Sequence, residues 1–262
     1  MEMERVRRGE IKHFYLSFLV SLLLFSAAPV RAQDNTKIPP HLSKLVSLID
    51  EAANERNIEK IKGLLSPQFA GQDGLNRDLF LQALANLWQK YPGMQYRTTI
   101  KNFTEKEGKY VVETVTNIDG KYEEEGREFK IKSEITSRQY FENGLFAKQE
   151  ILKEKTEITS GNNPPQIVVR LPERVRPGQE FDFDVILQEP LAGDIVLAGV
   201  SESIVSPSLH LQPPSIELNS ISSGGIFKRV NIPTPSSDHL YSAILIRDGG
   251  IRIISLRLKV QP

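Results

Sequence analysis

Apolar residues recur three and four positions apart in the first part of this 262-residue chain and at alternate positions beyond Gly93. From Leu42 to Arg56, the spacing of Leu45, Leu48, Ile49 and Ala52 places them on one helical face, with Lys44, Asp50, Glu51 and Glu55 turned mostly to water. Asn57 caps a second, short helix whose Ile58, Ile61, Leu64 and Leu65 face inward until Pro67 stops it. The third helix opens at Asn76, carries Asp78 where the helix dipole favours an anion, and ends at Pro92-Gly93. Its stripe of Leu79, Phe80, Ala83, Leu84, Leu87, Trp88 and Tyr91 anchors the core, each large side chain contributing about 1.5–3 kcal/mol on burial.

The alternating stretches predict four long strands, Tyr96 to Phe103, Lys109 to Ile118, Glu128 to Phe141 and Leu145 to Ile158. Glu105 to Gly108, Asp119 to Gly126 and Glu142-Asn143-Gly144 separate them with hairpin composition, which makes an antiparallel meander covering the helices. Residues 159–165, Thr-Ser-Gly-Asn-Asn-Pro-Pro, read as a linker because consecutive prolines and turn formers carry no apolar period. Seven shorter strands are predicted after it: Gln166 to Leu171, Gln179 to Leu187, Asp194 to Val200, around Leu209 to Leu218, Gly225 to Ile232, Leu240 to Arg247 and Ile251 to Val260. Seven strands in about one hundred residues fit a β-sandwich. The expected fold class is therefore an α+β layer over 41–158 followed by an all-β sandwich over 166–262, with 33–40 a flexible lead-in.

The first 32 residues change where this fold is expected to work. A basic start (Arg5, Arg7, Arg8, Lys12), an apolar run from Phe14 to Phe25 and small residues up to Ala32 read as a signal peptide. Twelve helical residues span about 18 Å, short of the ~30 Å membrane core, so cleavage after Ala32 and an extracytoplasmic location (periplasm or secreted) are expected; a retained anchor is the other reading. The signal holds 5 cations and 3 anions of the chain's 33 and 33, leaving 28 against 30. Such balance speaks against nucleic acid, whose phosphates demand a cation surplus. With no cysteine, thiolate metal sites, cysteine nucleophiles and disulfides are excluded. No stretch after Ala32 is long and apolar enough for a membrane span.

Three helices, the third ending in Pro-Gly, followed by a long antiparallel sheet, resemble the nuclear transport factor 2-like fold, the cystatin-like or ketosteroid-isomerase-like cone. The resemblance rests on the Leu45 to Ala52, Ile58 to Phe69 and Leu79 to Tyr91 segments and the strands to Ile158. Val175-Arg176-Pro177-Gly178-Gln179-Glu180-Phe181 resembles the opening turn of bacterial immunoglobulin-like domains. The first resemblance implies a pocket between sheet and helices, used by some members for catalysis through a carboxylate or histidine base and by others for binding or assembly. It also implies homodimerisation through the sheet face bearing Lys130, Lys132, Glu134, Arg138 and Tyr140, which reads equally well as a solvated surface.

Histidine is scarce: His41 lies in the lead-in, and His210 and His239 stand singly in the second half, without the pairing of a zinc site. The carboxylates nearest pocket positions are Glu113, Glu134 and Asp73; Glu113 enters a pocket only if its strand face points inward, while Glu134 sits among Lys130, Lys132 and Arg138 as on a wet face. Trp88, Tyr96, Tyr110, Thr114 and Tyr140 are the candidates for contacting a ligand, each of which also suits ordinary packing. Asp182, Asp184 and Asp194 lack a calcium loop, Ser222 to Gly225 opens a strand rather than a phosphate-binding helix, and no metal or cofactor is implied. The lack of an obvious base favours a non-catalytic binding or assembly module for a small apolar ligand or protein partner; the alternative is an isomerase, dehydratase or cyclase working through Glu113 or Asp73.

Overall fold

The computed structural model describes residues 37–261 except 192–194, 213–214, 222–223 and 234–236. The expected signal segment lies outside the described residues. Two compact units form, one of residues 37–121 and 132–154, the other of residues 122–131 and 155–261.

In the first unit, α1 (Pro40–Asn54) starts with a proline in its first turn and buries Leu42, Val46, Ala52 and Ala53. Asn57 caps α2 (Ile58–Leu64), its side chain accepting from the Lys60 amide at 2.9 Å. The chain then enters β1 (Leu65–Gly71), a strand the sequence pattern did not announce, which pairs parallel to β5 (Leu145–Gly161). Asn76 caps α3 (Arg77–Lys90) by accepting from Leu79 N at 3.0 Å, and Phe80, Leu81, Ala83, Leu84 and Trp88 are buried beneath it.

β2 (Gln95–Lys106), β3 (Lys109–Glu124), β4 (Arg127–Glu142) and β5 follow as consecutive long strands. Their turns are Glu107-Gly108, Glu125-Gly126 and Asn143-Gly144, all at positive φ, the backbone that joins twisted strands in two residues. The loop expected from Asp119 to Gly126 shrinks to its last two residues: β3 continues to Glu124, and Tyr122 stacks on Phe129 with centroids 5.0 Å apart. Along β4 burial alternates without a fault, with Ser133, Ser137 and Gln139 taking inward positions beside Ile131, Ile135 and Phe141.

The second unit holds β6 (Ile167–Arg170), β7 (Arg174–Val175), β8 (Glu180–Leu187), β9 (Val196–Ile204), α4 (Pro207–Leu211), β10 (Asn219–Ile221), β11 (Gly225–Asn231), β12 (His239–Arg247) and β13 (Gly250–Val260). Strands β11, β8 and β6 make a three-stranded sheet whose Phe181, Phe183, Val185 and Leu187 join a core with Val196, Ala198, Tyr241, Ala243, Leu245, Ile254 and Leu258.

The fold class differs from expectation. A three-helix cone followed by a separate immunoglobulin-like sandwich does not form; the described residues are mostly strand, with four helices and a ten-stranded, mainly antiparallel sheet in the order β10-β9-β12-β13-β5-β4-β3-β2, with β1 on β5 and β7 on β13. The ladder from Gly250↔Gly161 to Leu256↔Lys155 makes β5 a partner of β13, and the second half contributes β7, β9, β10, β12 and β13 to that sheet instead of closing a seven-stranded sandwich. Alternation reveals which residues share a face and is silent about which strand lies alongside. The expected strand near Leu209 is replaced by α4, started by Pro207 and buried through Leu209.

Candidate functional site

The first unit encloses a cavity of about 60 Å³ between its helices and the inward faces of β2–β5. Ile49, Asp50 and Ala53 of α1, Ile61 and Leu64 of α2, and Phe80 and Leu84 of α3 form the helical side. Across from them stand Tyr96 and Thr98 of β2, Thr116 of β3, Ile135 and Gln139 of β4, and Phe146 and Gln149 of β5.

Asp50 is the carboxylate of this cavity. β2 ends the long strand order, and α1 supplies partners to its backbone: Asn54 Oδ1 accepts from Tyr96 N at 2.7 Å while Asn54 Nδ2 donates to Tyr96 O at 3.0 Å. One helical turn earlier, Asp50 Oδ2 accepts from Thr98 N at 2.6 Å and Oδ1 from the Thr98 hydroxyl at 2.6 Å. The Thr98 and Thr116 hydroxyls lie 3.0 Å apart, extending a hydroxyl chain from the carboxylate across the cavity wall. Burial raises the pKa of Asp50 from its ordinary value, against the opposing pull of both Thr98 bonds, and Glu51 adds to the rise. A partly buried carboxyl with a raised pKa at an apolar cavity is equipped to take up and return a proton.

Tyr96 meets the cavity with a buried ring, and its hydroxyl accepts from Trp88 Nε1 at 3.0 Å. Burial pushes that hydroxyl's pKa upward, so it stays a neutral hydrogen-bonding group. Behind the wall, Gln149 Nε2 donates to Ser137 Oγ at 3.2 Å, and Ser137 Oγ lies 3.0 Å from the Thr114 hydroxyl.

Of the residues singled out in the sequence, Tyr96 lines the cavity and Trp88 braces it. Thr114 is fully buried on the face of β3 that also carries Thr116, and bonds to Ser137 rather than lining the cavity. Glu113 lies on the opposite face, 3.0 Å from the Arg138 guanidinium, whose other nitrogen is 3.4 Å from Glu150. Tyr140 belongs to the same outward cluster, with Lys148 Nζ 4.8 Å from its ring centroid, and burial followed by Glu150 raises its pKa to about 12. Burial works to raise the pKa of Glu150, yet Lys148, Tyr140 and Arg138 bring it below the usual value. Glu134 is exposed, Asp73 is buried in the turn before α3 outside the cavity lining, and Tyr110 sets its ring against His41 at 5.2 Å. Asp50, Thr98, Thr116, Gln139 and Gln149 are the cavity residues that sequence reasoning missed.

A family model described as a domain of unknown function (DUF8623) matches residues 162–261. No curated protein matches the chain. Among solved structures, a loop-truncation variant of IdmH is 14% identical over 42% of this chain and 89% of its own, with a TM-score of 0.30. An LEH-like epoxide hydrolase from M. tuberculosis is 7% identical over 42% of this chain and 80% of its own (TM-score 0.31). TsrD from Streptomyces laurentii is 16% identical over 47% and 91% (TM-score 0.28). Among the described residues, no helix is long and apolar enough to cross a membrane, and no group of three or more His, Cys, Asp and Glu side chains is placed to hold a metal.

Proposed function

We propose that the cavity of the first unit takes a small, mainly apolar molecule and that Asp50 moves a proton on it, in an isomerase-, dehydratase- or cyclase-type reaction. The observation that carries the reading is the Asp50 carboxyl, raised in pKa by burial and set, with the Thr98 and Thr116 hydroxyls, in the wall of an otherwise largely apolar cavity. In the simplest such reaction, carboxylate Asp50 removes a proton from the carbon next to a carbonyl, the electron pair moves toward the carbonyl oxygen, and the proton returns at the far end of the resulting dienolate. A test substrate is 3-cyclohexenone, whose conversion to the conjugated 2-cyclohexenone is followed by ultraviolet absorbance. The wild-type chain is expected to accelerate it and Asp50→Asn to lose about 10²–10⁴ of that acceleration, the range ascribed to a positioned base. Equal rates in the two proteins would refute the proton-transfer role.

The reading of a non-catalytic binding module draws on the same carboxylate, because both its oxygens are committed to Thr98 and secure the edge of β2 to α1. It predicts ligand binding without turnover. For location, we propose export with a mature start near Gln33, supported by the basic, apolar and small-residue succession up to Ala32. N-terminal sequencing of the exported product checks it, and a cytoplasmic product retaining Phe14 to Phe25 refutes it.

A further inference from the structure

Gln139 is a neutral polar residue in a strand where every second side chain is buried, and only 6% of its surface is exposed. Its side chain lines the cavity, and its Oε1 is shut from solvent with no hydrogen-bond partner. A stranded amide oxygen forfeits its hydration on folding and gains nothing in exchange, which is why such atoms are uncommon in native interiors. The other polar groups of the wall are engaged: Thr98 with Asp50 and Thr116, and Gln149 through Nε2 with Ser137. Oε1 of Gln139 is therefore an acceptor awaiting a donor, in a cavity whose remaining surface from Ile61, Leu64, Phe80, Leu84 and Phe146 is hydrocarbon.

We infer that the ligand of this cavity carries a hydroxyl which it donates to Oε1 of Gln139, so that the class it takes is small neutral hydroxylated hydrocarbons, alcohols or enols, rather than purely apolar molecules. Thiols are weaker donors and fit less well. A charged ligand does not suit the site either, since a wall that raises the pKa of its own carboxylate disfavours ions. The inference rests on the cavity being a ligand site and deepens that reading by naming the group recognised. It stands independently of turnover.

The test is equilibrium binding to the mature chain, read by chemical-shift changes at the methyl groups of Ile61, Leu64 and Leu84. The probes are cyclopentanol, which donates and accepts, cyclopentanone, which only accepts, and cyclopentane, which does neither. Cyclopentanol is expected to bind about tenfold more tightly than cyclopentanone, the scale for satisfying one buried acceptor, and Gln139→Met to erase the difference while retaining binding of cyclopentane. Tighter binding of cyclopentanone would mean that the amide presents its NH₂ instead, and would overturn the inference. So would discrimination that survives in Gln139→Met, or a wild-type chain that binds none of the three. Should Gln139→Met fail to fold, the order of affinities in the wild type still decides. Alcohol binding that depends on Gln139, found together with no effect of Asp50→Asn on enone isomerisation, would sink the catalytic role of Asp50 and leave this inference standing.

Discussion

Asp50 has two tasks that pull its proton in opposite directions. Thr98 favours the anion through two bonds at 2.6 Å, while burial disfavours it more strongly, so the folded-state pKa lies above the ordinary 3.8. A group whose pKa rises on folding binds its proton more tightly in the native state, and stability it confers is complete below the unfolded pKa and lost as pH climbs through the folded one. Urea unfolding of the wild type and Asp50→Asn across this range should therefore show the wild type gaining relative to the variant as pH falls toward 3.8. A wild-type advantage that grows with pH would show that the anion is the stabilised form. The residue was hidden in the sequence because α1 has two overlapping stripes. Leu45, Leu48 and Ile49 suggest one face, but Leu42, Val46 and Ala53 bury another that carries Ile49, Asp50 and Asn54 inward with it. Thr98, Thr116, Gln139 and Gln149 were missed for a related reason: polar residues at inward positions of a strand look like a wet face until the neighbours show them enclosed.

Elements with a capping residue at one end were the most legible. Asn57 and Asn76 each accept from the amide three residues on, where a capping side chain belongs, and Asn143-Gly144 makes the turn its composition implies. β1 and α4 were illegible because each is short and owes its form to neighbours: β1 to the parallel ladder with β5, α4 to a proline-started turn burying one leucine. Gly161, at the end of β5, adds a constraint that composition could not express. Its φ is 85°, it pairs with Gly250 across the ladder, and a Cβ there would collide with the Gly249 carbonyl oxygen and the Gly250 Cα. Both obstacles are backbone and cannot move aside as a side-chain tip would. Gly161→Ala is expected to cost about 2–3 kcal/mol, combining left-handed strain with the steric clash, against near neutrality for Gly224→Ala, where a Cβ meets nothing within 4 Å. Chemical denaturation of the two variants checks the contrast, and equal midpoints would mean that the β5–β13 end adjusts freely.

At the scale of the whole chain, residue patterns supplied most strands, while strand partnership escaped them because partners far apart in sequence leave no local mark. β12 and β13 are buried nearly end to end, without the polar alternation of a strand that has one wet face. β13 uses this position to pair with β12 on one side and with residues 155–161 of β5 on the other. The family match begins only at residue 162, whereas the second compact unit begins this stretch at residue 155. A fragment of residues 162–262 therefore leaves the amides and carbonyls of β13 opposite residues 155–161 without their ladder, on a strand rich in isoleucine and leucine. Unpaired edges of that kind are unstable and prone to associate. A fragment of residues 155–262 retains those seven register pairs within one continuous chain and is expected to unfold at the higher urea midpoint and to sediment with less self-association. Coincident midpoints and equal sedimentation would show that β13 holds without β5, and that the ladder between them is incidental to the stability of this unit.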